Sequence, residues 1–138
     1  MCIVTRALYF LCAAAAFGAA GEEFFETRVR PVLVERCAGC HGENAASGLR
    51  VDSRAALLRG GRRGPAIVPG DAGASLLLQA VRRTHATLRM PPTGPLAETE
   101  LAALETWVRE GASWPEARPI VSKSKRLWTT EPLPEPRG

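Results

Sequence analysis

Two cysteines three positions apart, with a histidine directly after them, constrain this chain more than any other feature: Cys37-Ala38-Gly39-Cys40-His41. Such a run is the attachment signature of a c-type haem. Each thiol can add to one vinyl group of the porphyrin, and two intervening residues let the sulfurs span the two vinyl positions. The following residue then falls beneath the iron, where its imidazole can coordinate. Other uses of the same residues fare less well. A structural zinc site needs four ligands, and no second pair remains once a signal carrying Cys2 and Cys12 is removed. A thioredoxin-type redox pair belongs at a strand-to-helix turn, whereas no strand pattern is visible here. A plain Cys37–Cys40 disulfide in a haem-free interaction module stays open for an exported chain.

Export is itself legible. Arg6 is the only charge among the first twenty residues, Ala7 to Ala16 is apolar and Ala-rich, and Gly18-Ala19-Ala20 offers the small residues that a signal peptidase reads. Cleavage is expected after Ala20, leaving a periplasmic or otherwise exported chain without a stable membrane span. Cys2, Cys12 and Met1 leave with the signal. The mature chain then keeps Cys37, Cys40, Met90, His41 and His85 as its soft and imidazole donors. The expected organisation is a signal over 1–20, a domain over 21–115 and a Pro-rich tail or linker over 116–138.

Charge is moderate, with a formal net +4 that falls by one when Arg6 is lost. It is uneven, however. Between Asn44 and Ala97, eight arginines (50, 54, 59, 62, 63, 82, 83 and 89) face only Asp52 and Asp71. Such a surface suits an acidic protein partner or anionic haem propionates, for which Arg62 and Arg63 are candidates, or is simply solvated. Nucleic acid is not implied, because no aromatic residues interleave with these arginines.

The periodicity predicts an all-α domain of three to five helices. Phe25, Val29, Val32, Leu33 and Arg36 share one helical face within Gly21 to Arg36, with a kink or break expected at Pro31. Cys37 to Arg50 reads as loop. Ser53 is placed to cap a short helix over Arg54 to Leu58 that Gly60-Gly61 stops, and Ser75 to cap another from Leu76 to about Arg83. The clearest helix is Glu98 to Glu110, with Leu101, Leu104, Trp107 and Val108 on one stripe, an acidic first turn and Gly111 as its stop. Its cap position holds Ala97, which has no acceptor to offer.

Met90 is the candidate for the iron's second axial position. Methionine opposite histidine favours ferrous iron and raises the potential, and Pro91-Pro92 would hold the thioether rigidly. Its commoner use is as core filler. His85 is the competing ligand, or a histidine that merely suits the end of a short helix. The proximal imidazole needs an acceptor for its other ring nitrogen, and the carbonyl of Pro65 is the expected one, with Pro69 as the alternate.

In their order, Cys37 to His41, Gly48-Leu49-Arg50-Val51-Asp52-Ser53, Gly64 to Asp71, Ser75-Leu76-Leu77, Met90-Pro91-Pro92 and Leu101 to Trp107 with Gly111-Ala112 resemble the planctomycete-type cytochrome c domain, over about Phe24 to Pro115. The resemblance implies a small cytochrome c-like fold around one covalent haem c. Its N- and C-terminal helices would cross where Phe24 or Phe25 meets Leu104 or Trp107. It also implies His41 and Met90 as the axial pair. Arg126-Leu127-Trp128 resembles the opening of the further domain that follows in larger members. The expected role is a non-enzymatic electron carrier serving redox partner proteins. The alternative is a haem module with an open distal site, acting as a sensor or as the electron-accepting part of a larger oxidoreductase.

Overall fold

The computed structural model describes residues 18–115 and 120–121. The first seventeen residues of the expected signal, and most of the segment 116–138, lie outside the described residues. Among the described residues the fold is all-α. One isolated bridge between Gly61 and Gly64 is its only extended pairing.

Helix α1 runs unbroken over residues 18–41, so two expectations are corrected. Pro31 does not break it, and Cys37 to His41 is helix rather than loop. The turn Phe25–Val29 is π-helical, closed by the Arg30 amide donating to the Phe25 carbonyl, and a second such turn spans Leu33–Cys37. A widened turn just before Pro31 moves the preceding carbonyls off the α register with which the pyrrolidine ring would collide. No residue after Arg36 forces an end until Gly42, which leaves helical geometry at φ −92° and ψ −121°. Phe25, Val29, Val32 and Leu33 are buried as their spacing predicts. Arg36 is exposed instead, and donates to the Pro95 carbonyl at 3.1 Å.

Helix α2 (Arg54–Arg59) begins as expected, with the Ser53 hydroxyl accepting from the Ala56 amide at 3.2 Å. It ends at Gly60, which has φ +70° and whose absent Cβ would sit 1.8 Å from the Gly64 carbonyl oxygen. Only glycine fits that corner. The Ala66 amide then donates to the Leu57 carbonyl at 2.9 Å, folding the irregular segment back on α2.

Helix α3 (Leu76–Val81) starts at Ser75, but the serine does not cap it. Its fully buried hydroxyl accepts from the Val68 amide at 2.9 Å and donates to the Asp71 carbonyl at 2.7 Å, so it staples the preceding loop. The helix is also shorter than expected, because Arg83 takes a left-handed φ of +62°.

Helix α4 (Glu98–Arg109) packs against the Phe25–Val29 turn of α1. Of the alternatives at this crossing, Phe25 meets Trp107, with ring centroids 5.7 Å apart. Trp114 closes over Phe25 at 4.5 Å. The Glu100 carboxylate accepts the Ala97 amide at 2.8 Å, which makes half of a capping box where alanine cannot make the other half. Leu104, Trp107 and Val108 are buried on the expected stripe. Ile120, beyond the boundary drawn at 115, is also a core residue at 5 % exposure.

Replacing Ser75 with Ala removes a fully buried hydroxyl from two hydrogen bonds to the loop and should cost about 1–3 kcal/mol. Gly60→Ala should cost about 2 kcal/mol or more, from its positive φ and the blocked corner. Urea unfolding followed by circular dichroism measures both.

Candidate functional site

On a helix, residues i, i+3 and i+4 share a face. Because α1 continues to His41, Cys37, Cys40 and His41 therefore project from one side of its last turn. The turn is held from beneath. The Val51 amide donates to the His41 carbonyl at 2.8 Å, and Asn44 Nδ2 donates to the Gly39 carbonyl at 3.3 Å. The two intervening residues differ in use. Ala38 is buried in the core, whereas Gly39 is exposed with open space around it, so smallness serves packing only at 38.

These three side chains line an apolar cleft of about 280 Å³. Leu77, Ala80 and Val81 form one wall, spaced at i, i+3 and i+4 along α3, and Leu49, Val51 and Ala66 add to it from the loops. The third boundary is Leu88, Met90, Pro91 and Pro92. Met90 is half-buried against the core, and its amide donates to the Ala80 carbonyl at 3.1 Å. Arg83 Nη2 donates to the Pro91 carbonyl at 3.0 Å, holding the next residue as well. The α3 wall was not anticipated, although its helical spacing was there to be read.

Both cysteines are free thiols. Burial pushes the Cys37 thiol up to about 11, only partly offset by the Arg36 guanidinium. Cys40 is exposed. His41 is half-buried and its Nδ1 is enclosed without a hydrogen-bond partner, so the bond expected from it to the Pro65 carbonyl is not formed. Pro65 is exposed and does not line the cleft, although Gly64 and Ala66 on either side of it do. The adjoining Ala66 amide is committed to α2, which holds that stretch of loop against its helix. His85 lies beyond the end of α3 and outside the cleft. Its Nδ1 accepts from the Thr87 and Leu88 amides, both at 3.2 Å.

The arginines divide in two. Arg54 donates to the Ala112 and Gly111 carbonyls, Arg82 pairs with Glu105 at 2.5 Å, and Arg50 pairs with Asp52. Arg36, Arg62 and Arg63 line the cleft; Arg36 is tied to the Pro95 carbonyl and to Glu100 at 3.6 Å, whereas Arg62 and Arg63 are exposed.

An apolar slot bordered by two thiols, an imidazole and a thioether is the donor set of a haem c pocket. Residues 37–94 match the family model of the planctomycete cytochrome C. The resemblance seen in the sequence blocks is borne out over that stretch, which holds the thiols, His41 and Met90 but excludes α4. No curated protein and no solved structure gives a match. The family match indicates a haem-binding electron-transfer domain, of the kind typically exported. No helix among the described residues is long and apolar enough to cross a membrane.

In the haem-free chain at pH 8, Cys37 should alkylate at least about tenfold more slowly than Cys40, because so little of it is thiolate. Its rate should climb as pH rises towards 11. Peptide mapping after timed iodoacetamide treatment reads both rates.

Proposed function

We propose that this chain is an exported single-electron carrier holding one haem c on Cys37 and Cys40, with His41 and Met90 as axial ligands. One observation carries the reading: the four side chains that such a haem needs, drawn from both ends of a 54-residue stretch of sequence, border one apolar cleft. Bound there, the haem would supply an iron that alternates between ferrous and ferric forms.

The rest falls to the protein. Cys37 and Cys40 would hold the haem as thioethers, each S–H adding across a vinyl double bond so that sulfur bonds to one carbon and hydrogen to the other. His41 donates its ring nitrogen from a helix end pinned by Val51. Met90 presents a soft sulfur that favours the ferrous state, from a backbone tied to α3 on one side and followed by two prolines on the other. The apolar walls exclude water and keep reorganisation small. Arg62 and Arg63 suit the haem propionates, and they give the rim a positive field that would attract an acidic redox partner. Export rests on the signal pattern of residues 1–20.

Expressed with its signal and a haem-attachment system, the mature protein should gain the mass of one haem. Cys37→Ser with Cys40→Ser should abolish that gain. A colourless wild-type product with both thiols free or joined to each other would sink the proposal. Met90→Ala should remove the weak far-red band of thioether-ligated ferric haem. Axial ligands move haem potentials over about 0.8 V, so the variant's potential should fall by on the order of 0.1 V in a spectroelectrochemical titration.

A further inference from the structure

His85 is a side chain bonded to the cleft-lining Leu88 that the proposed chemistry leaves unused. After α3 ends at Val81, the Thr84 and His85 amides both donate to the Gln79 carbonyl, at 3.0 and 3.3 Å, and Arg83 turns the chain through its left-handed φ. The chain returns to α3 only at Met90, through the bond to Ala80. Between these two anchors the Thr87 and Leu88 amides donate to no carbonyl. Both go to His85 Nδ1, while the Arg89 guanidinium donates to the His85 carbonyl. The imidazole therefore does for this excursion what backbone pairing does elsewhere.

We infer that His85 is the positioning residue for Met90: its ring nitrogen gathers two successive amides and so shapes the turn that delivers Leu88 and Met90 to the cleft. The inference rests on Met90 being the iron's ligand. A nitrogen that accepts two amides has its lone pair taken up by them and has none to offer a metal. His85 is thereby removed as a competitor for the iron and becomes the support of the ligand it was set against. Without the acceptor, two amide donors must turn to water, the excursion gains alternative conformations, and the thioether is held less firmly. Asparagine offers a side-chain carbonyl that can accept amides two or three residues on, as in an Asx turn, so it should replace the imidazole. Phenylalanine keeps the ring volume and offers no acceptor.

The test uses the haem-loaded ferric protein and added imidazole as a rival ligand. His85→Ala and His85→Phe should each weaken the far-red band and raise the affinity for imidazole about tenfold or more, with His85→Asn close to wild type on both readouts. A role in general stability alone would move the unfolding midpoint and leave imidazole affinity unchanged. Wild-type behaviour of the Phe variant, or loss in the Asn variant equal to that in Ala, overturns the inference. If Met90→Ala matches wild type in both spectrum and imidazole affinity, the axial assignment itself fails and takes the inference with it. If Met90→Ala differs while His85→Phe does not, only the inference falls.

Discussion

Everything in this domain depends on the phase of one helix. The face of α1 that buries Phe25 and Val29 against Trp107 anchors the helix at one end, and the face that carries Cys37, Cys40 and His41 must meet the cleft at the other. A regular α-helix joins two such faces at whatever angle the intervening residue count dictates. Each π turn takes one more residue than an α turn and rotates everything downstream of it. With two of them, at Phe25–Val29 and Leu33–Cys37, the chain has a means of satisfying both faces at once. Pro31 sits between them, where a widened turn is compatible with a missing amide.

The other side of the cleft is built on a contrasting principle. Helix α3 has only six residues, too few to be stable alone, and is held by what surrounds it. Ser75 ties its start to the Val68–Asp71 loop, and Arg82 ties its end to Glu105 of α4. From this fixed base it both walls the cleft with Leu77, Ala80 and Val81 and receives the Met90 amide. The wall and the thioether thus share one support. Were that thioether to ligate an iron, a support of this kind would keep it nearly fixed as the metal changes oxidation state, which is what fast electron transfer requires.

Charge follows the same economy. In the sequence the arginine-rich stretch suits an acidic partner, haem propionates or plain solvation. In the fold, Arg54, Arg82 and Arg83 spend their guanidinium groups on carbonyls and a carboxylate that join separate parts of the chain, and the exposed remainder includes the rim of the cleft at Arg62 and Arg63. The field is therefore most useful where an anionic group would have to approach.

The sequence by itself determined the all-α class, the Ser53 cap, the Gly60 stop, the stripe on α4, and the residue types at the site, because these depend on neighbours within a few positions. It could not reveal that Cys37 to His41 is the end of a helix. The small and polar residues of that stretch carry no apolar period, and the helix persists through pairing and packing made further along the chain. Nor could it assign Ser75, His85 or the acceptor for His41. Each of these is a hydrogen-bonding choice among donors and acceptors that only the folded chain brings within reach: Ser75 took loop groups over its own helix, and His85 took the Thr87 and Leu88 amides. The Pro65 carbonyl makes no hydrogen bond with His41 Nδ1. Spacing along the chain names which atoms are available, and the tertiary structure decides which of them meet.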